Sequence, residues 1–490
     1  MTLLELSLPQ LVGGAAAALQ LLIVAGVILR VVLTRHPPGS AFAWILLTTL
    51  VPYFGFFLYL LMGERPIGRL RARRLRKSVE EWGKIARHDL IPFGPLPESW
   101  EKRLPFLRLA TRLAGLPIVS GSTVQLLATA DETLSQLERD IASAETSIDM
   151  EFYIWSPEGR IVGVTDALMH AARRGVAVRI LVDDFGSRAF LRSEACRVMR
   201  SAGIEIASAL PMKFFSALGL QRADLRLHRK TVVIDDAVAY TGSFNMIDPN
   251  SYDAAATVGP WVDAMIRITG PGVKPLSSVL DFDWALQPDG DPSDFVSDYL
   301  QKRIPNTGSA DMIVVPSGPY QAGDRNLFLV IEAINQAQHA LTITTPYFIP
   351  NEAVVTALLN AALRGVKVTL IIPEQCDGAL TTWAARRYFD DLLLGGIRIL
   401  LHRNGLLHTK SIAVDGEFAV FGTLNIDNRS MHLNFELMSV ILDPHFVGRL
   451  ELLHRRYEEE SSAIDAAAWR RRPLSVRLRE GFSYLLSPLL

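Results

Sequence analysis

The chain has 490 residues, a formal net charge of -1 and two cysteines. That length calls for two to four domain-sized units, because a single core stops growing well below it. Near-neutral charge excludes the chain-wide basic field of a nucleic-acid binder, and a mean hydropathy of +0.22 is high for an enzyme that meets only water.

The apolar excess is concentrated at the amino end. Leu11 to Leu29 and Ala41 to Met62 carry no charged residue, and each has about the length that crosses a ~30 Å hydrocarbon core. Between them lie Pro37, Pro38 and Gly39, so residues 1–64 are expected to form a transmembrane helical hairpin. A cleaved signal peptide fits less well, since no Lys or Arg precedes the first run and a second run follows at once. Next come Arg65, Arg69, Arg71, Arg73, Arg74, Arg76 and Lys77. Positive charge of this density stays on the cytoplasmic side and favours anionic headgroups. Residues 65–120 read as a basic juxtamembrane linker, irregular around Pro92, Pro95 and Pro97.

Beyond residue 120 the chain repeats itself. A strand-like stretch, Ser147 to Trp155 (SIDMEFYIW), stands opposite Leu341 to Ile349 (LTITTPYFI). Each is followed by a helical stretch ending at a glycine, then by a β-branched run: AARRGVAVRIL from Ala171 and AALRGVKVTLI from Ala361. Further short strands open at Gly203 and Gly396. Alternating strands and helices predict an α/β fold of two halves, residues 121–290 and 306–463, separated by an irregular stretch around Gln287 to Pro305. Cys196 and Cys376 sit in no CxxC or His-rich setting and read as small buried hydrophobes.

Each half carries His-x-Lys-x4-Asp followed by Gly-Ser/Thr-x-Asn. The first set is His228, Lys230, Asp235, Gly242, Ser243 and Asn245; the second is His408, Lys410, Asp415, Gly422, Thr423 and Asn425. A His and a Lys two apart on a strand point to one side. A lone pair of this kind is usually surface decoration. Two at matching places of a repeat predict one shared site with two imidazoles and two ammoniums. Such an array suits a phosphodiester: lysines and Asn amides hold the non-bridging oxygens, one histidine attacks phosphorus, and the other protonates the leaving oxygen. Asp263 and Glu436, downstream in their own copies, are the candidate carboxylates for orienting the imidazoles. Asp235 and Asp415 complete the candidate catalytic motifs, but lie near strand ends where they are better placed to tie down a turn. No metal is called for, since no His/Asp/Glu cluster has ligand spacing.

The paired motifs resemble the HKD signatures of the phospholipase D superfamily. HPPGSAFAWILL, YLLMGER, TPYFIP, LLHTKSIAVD, GTLNIDNRS, LNFE and the terminal LLSPLL are similar to bacterial cardiolipin synthases. That resemblance implies two fused α/β sandwich halves with pseudo-twofold symmetry, a phosphatidyl-histidine intermediate and no cofactor. It also implies a reaction joining two phosphatidylglycerols into cardiolipin and glycerol at the bacterial inner membrane, with the catalytic body in the cytoplasm. By analogy with the amino-terminal motif of relatives, His228 is the nucleophile and His408 the general acid. Gly-Ser-Phe-Asn in the first copy departs from the Gly-Gly-x-Asn of many synthases, and Ser243 could offer its hydroxyl to phosphate. Phospholipase D-type hydrolysis of lipid, or of nucleic acid, is the alternative; the charge balance speaks against nucleic acid as a partner. Residues 464–490 form a basic amphipathic segment from Trp469, Arg470, Arg471 and Arg472 to Leu489 and Leu490. They fit either a membrane interface or a helix packed on the body.

Overall fold

The computed structural model describes residues 8–34, 38–63, 98–211, 224–250, 258–287, 304–319, 324–485 and 487. The basic run from Arg65 to Lys77, Pro37, the prolines at 92, 95 and 97, most of the expected inter-repeat stretch and the terminal leucines lie outside them. The chain divides into two compact units, Met1–Ala72 with Lys213–Asp224, and Arg73–Met212 with Leu225–Leu490.

In the first unit one long helix, Leu8–Leu33, contains a 21-residue stretch of high hydropathy, Gly13–Leu33, in which only Val27 and Val31 are buried. A core helix of a water-soluble domain would be covered; this one exposes Leu21, Leu22, Leu29 and Val32. The second apolar run is not the single span expected from Ala41 to Met62. It forms Pro38–Leu50, breaks at Val51, restarts as Pro52–Leu58 and ends in a π-turn, Tyr59–Gly63. Pro52 has no N–H to continue the ladder and pushes Val51 out of the helical region. Gly55 permits the bend, since a Cβ there would lie 2.7 Å from the Thr48 Cα. Val27 and Val31 pack against Tyr59, and Trp44 meets Tyr59 edge-on at 5.6 Å.

The second unit is built on one sheet of fifteen strands among the described residues. The first half supplies β1 (Val119–Leu127), β2 (Ser147–Phe152), β3 (Ala177–Asp183), β4 (Glu205–Ala209), β5 (Thr231–Ile234), β6 (Val238–Gly242) and β7 (Met265–Thr269). The second supplies β8 (Ala310–Ser317), β9 (Ala340–Thr344), β10 (Lys367–Pro373), β11 (Arg398–His402), β12 (Ser411–Val414), β13 (Phe418–Gly422) and β14 (Glu436–Leu442), with β15 (Ser461–Ala463) at the edge. The order is 4-3-2-5-6-7-1 in one half and 11-10-9-12-13-14-8 in the other, joined where β1 pairs antiparallel with β8. The repeat is therefore structural. Its register matches the alignment of AARRGVAVRIL with AALRGVKVTLI: Ser147 pairs with Ala177 and Ala340 with Lys367, so Ser147 and Ala340 are counterparts.

The halves share a core. Helix Val273–Ala285 and helix Pro444–Glu459 bury Leu276, Leu280, Phe446 and Leu450 with residues of both halves, including Val124, Ile266, Val314, Ala413 and Phe421. Helix Leu104–Ala114, expected to belong to the linker, is part of this body: Phe106 packs on Phe418 at 4.9 Å.

Asp235 and Asp415 serve the fold. Each follows the last residue of β5 or β12, at φ 52° and 53°. Asp235 accepts from the Glu145, Thr146 and Ser147 amides at 2.9, 2.7 and 2.8 Å, and from the Thr146 hydroxyl at 2.7 Å. Asp415 does the same for Gln338, His339 and Ala340 at 2.9, 2.7 and 2.9 Å, and pairs with Arg103 at 3.1 Å. Five extended residues carry each carboxylate roughly 16 Å from its lysine's position, and its oxygens are engaged by backbone amides, which fits the turn-tying role expected from its place near a strand end. Burial would raise both pKa values, and these hydrogen bonds outweigh it to hold them below the ordinary range. Asp235→Ala should cost about 2 kcal/mol or more of stability, read as a lower thermal midpoint, while folded variant keeps its turnover number.

Candidate active site

The motif residues lie just ahead of β5 and β12 rather than within them. There the backbone leaves its own half and pairs with the other. Leu227 bridges Phe435, and Leu406–Leu407 runs parallel to Trp261–Val262. The His228 amide donates to the Phe435 carbonyl at 2.9 Å and the His408 amide to the Val262 carbonyl at 2.8 Å.

That crossing exchanges the orienting carboxylates. His228 Nδ1 lies 2.9 Å from Glu436 Oε2, and His408 Nδ1 lies 2.7 Å from Asp263 Oδ1. Sequence position had suggested that each half supplies its own carboxylate; each supplies the other's. Lys230 and Lys410, buried to 0% and 1% exposure, each donate to the carbonyl of their own histidine at 2.6 Å.

Burial drives His228 down to about 4 and His408 to about 3; Glu436 and Asp263 oppose this, while each histidine also feels the lysine of the other half. Burial likewise lowers Lys230, to about 8, and puts Lys410 well below the ordinary lysine value. Against burial, which would raise them, Glu436 is held below the usual carboxylate range by His228, Lys230 and Thr423, and Asp263 by His408, Lys410 and Ser243. The resting site therefore holds two carboxylates and two neutral imidazoles. An ionised carboxylate keeps the ring proton on Nδ1 and leaves the Nε2 lone pair free for attack or proton transfer.

The Gly-Ser/Thr-x-Asn turns support the carboxylates. A Cβ at Gly242 would lie 2.6 Å from the Ala264 carbonyl, and one at Gly422 would lie 2.2 Å from that of Leu437. Glycine thus lets the neighbouring strand approach closely. Thr423 donates to Glu436 at 2.5 Å and accepts from the Leu437 amide at 2.9 Å; Ser243 Oγ exchanges hydrogen bonds with the Ala264 backbone at 3.1 and 3.2 Å. Ser243 thus braces the backbone beside Asp263. Asn245 Oδ1 accepts from the Ile154 amide at 3.2 Å, while Asn425 Oδ1 is buried with no hydrogen-bond partner among the described residues.

Residues 137–256 and 330–456 match the family described as "Cardiolipin synthase, PLD-like domain", and residues 21–64 match "Phospholipase_D-nuclease N-terminal". The chain is 39% identical over 472 residues to "Cardiolipin synthase A" of Serratia proteamaculans (strain 568), with 96% of each chain covered. It is 38% identical over 476 residues to the protein of that name from Edwardsiella ictaluri (strain 93-146), again with 96% of each covered. The chain belongs to the cardiolipin synthase family of phospholipase D-type proteins. Its fold is also that of a solved phosphatidylserine synthase from Haemophilus influenzae Rd KW20, at TM-score 0.59 and 16% identity over 79% of this chain and 100% of that one.

Sequence reasoning missed four neighbours of this family site. Tyr153 meets the His228 ring edge-on at 5.2 Å and lies 5.6 Å from Lys230 Nζ, and Trp261 packs on the His408 ring at 4.4 Å. Asn434 donates to Glu436 Oε1 at 3.1 Å, and Asp183 accepts from the Leu227 amide at 2.8 Å, one residue before the histidine. Asn434 and Trp261 flank the candidate carboxylates in sequence and were there to be noticed; nothing local marks Asp183 or Tyr153.

Two outcomes follow from these contacts. Glu436→Gln removes the charge that fixes the His228 proton and should lower kcat by about 10²–10⁴-fold with KM little changed, checked by steady-state kinetics on vesicles. The pH profile of kcat/KM should show an alkaline limb above about 8, where buried Lys230 loses its charge. An alkaline limb near the ordinary lysine value of 10.5 would contradict the buried lysine.

Proposed function

We propose that the chain is a phosphatidyltransferase that makes cardiolipin from two phosphatidylglycerols. The observation that carries this reading is the exchange of carboxylates, which gathers two oriented histidines and two buried lysines in a chain collinear with cardiolipin synthase A relatives. The lysines supply the positive charge that a phosphodiester and its transition state need.

In the first half-reaction His228 Nε2 attacks phosphorus, the N–P bond forms, and the P–O bond to the terminal glycerol breaks. His408 gives its proton to that leaving oxygen. A bound phosphodiester anion favours imidazolium and so raises His408 from its resting value. In the second, His408 takes the proton from a hydroxyl of another phosphatidylglycerol, whose oxygen displaces His228. The assignment of attack to His228 follows the amino-terminal motif of relatives. Ser243, Asn245, Thr423 and Asn425 form the supporting set, acting through the carboxylates and the turn backbone. The protein is read as a multi-pass protein of the bacterial inner membrane with its catalytic body in the cytoplasm. The exposed apolar helix and the basic run after Gly63 support that topology.

Purified full-length protein in vesicles of phosphatidylglycerol should release glycerol and form cardiolipin in equal amounts. His228→Ala and His408→Ala should each reduce both products by at least about 10³-fold while the chain still inserts. Phosphatidic acid as the main product would overturn transfer in favour of hydrolysis.

A further inference from the structure

The helix Leu474–Leu485 carries its apolar residues on the side away from the protein. Leu474, Leu478, Phe482 and Leu485 recur every three or four positions, so they form one stripe, and each is 64–72% exposed. The face turned inward is polar: Glu480 and Ser483 are buried. Glu480 pairs with Arg472 at 2.9 Å, and Arg472 also holds Asp390 at 2.8 Å. Trp469 Nε1 donates to Asp390 at 3.0 Å, and Tyr484 meets Tyr388 at 5.4 Å. The helix packs along helix Ala379–Arg387 and is further held by these ion pairs and the tyrosine contact, while the stripe residues stay exposed.

At 100° per residue Arg477 and Arg479 fall on opposite flanks of the stripe. Both are exposed, as are Arg470 and Arg471 just before the helix. Glu480 is the one carboxylate of the helix, and it faces inward. Arg479 is steadied over the Trp383 ring at 5.7 Å. The outward surface thus combines an apolar ridge with cations on both sides.

We propose that this helix is the surface by which the catalytic body rests on an anionic bilayer, the stripe entering the acyl boundary and the arginines meeting lipid phosphates. The proposal rests on the reading that the substrate is an anionic phospholipid. A second copy fits less well, because stripes paired about a twofold would bring Arg477 and Arg479 against like charges. An apolar helix already tethers the chain; a second contact fixes the orientation of the body, so that headgroups meet the site at high effective concentration.

The test uses the full-length protein with an environment-sensitive fluorophore on Leu478→Cys in a Cys376→Ser background, Cys196 being buried. In vesicles containing phosphatidylglycerol the label should be quenched by nitroxide-bearing acyl chains and shielded from aqueous iodide. Phosphatidylcholine vesicles or Arg477→Glu/Arg479→Glu should weaken that pattern. Iodide access unchanged by anionic vesicles overturns the proposal, and so does shielding that appears in detergent as protein concentration rises, which marks a second copy. In parallel, Leu478→Asp/Phe482→Asp should lower transfer on vesicles about tenfold or more and leave it within about twofold in detergent mixed micelles. An equal loss in both assays overturns the surface role. A label buried in anionic vesicles on a chain that forms no cardiolipin upholds the surface and overturns the substrate reading instead.

Discussion

Each histidine is oriented by a carboxylate from the opposite half, and the rest of the body is arranged around that exchange. Glu436 reaches His228, and Asp263 reaches His408, only because short backbone pairings carry each motif across to the other half. These pairings depend in turn on β1 meeting β8 and on a core that draws side chains from both halves. Neither half contains an oriented imidazole by itself. The duplication is therefore obligatory at the level of single hydrogen bonds, and a small rotation of one half would unseat both histidines together.

Placing two lysines, two histidines and two carboxylates out of water is costly, and the arrangement limits that cost by matching charges and satisfying lone pairs. Thr423 and Asn434 fill the remaining valence around Glu436, and Ser243 braces the backbone beside Asp263. In front, the two motifs are near copies; behind, they differ. Arg229, beside Lys230, is buried against Asp283, the Glu436 carbonyl and the Ser317 carbonyl, with Glu151 pushed well above the carboxylate range by burial and by Asp283. The corresponding Thr409 instead shares a hydrogen bond with Tyr457 at 2.9 Å, and Ser411 with His454 at 2.8 Å. The two motifs thus share their histidine, lysine and carboxylate arrangement and differ in the side chains packed behind it.

Much of this was legible in the sequence for identifiable reasons. Glycines at 175 and 365 end their helices in left-handed conformation at φ 96° and 91°, as the repeated handover from helix to β-branched run requires. The two His-x-Lys motifs were readable because an internal repeat turns a weak local pattern into a paired one. What escaped reading was long-range. Nothing local says that Glu436 serves a histidine 208 positions away, since a carboxylate two residues past an Asn looks the same whichever ring it meets. Pro52 was visible, yet an uncharged run satisfies a membrane-length criterion whether or not the helix is continuous.

Near-equivalence of the two histidines has a chemical reason if the reaction is phosphatidyl transfer. One phosphodiester is broken and one is made, each to a glycerol hydroxyl, so leaving group and acceptor are the same kind of alcohol at the same phosphorus. The group that protonates the first oxygen must deprotonate the second, by microscopic reversibility. In hydrolysis the same group would serve both steps, with water in place of the second alcohol. Two imidazoles with one kind of partner, similar burial and similarly depressed basicity suit an exchange whose forward and reverse steps are chemically alike. Direction then comes from outside the site: glycerol escapes into water, and the doubled lipid does not.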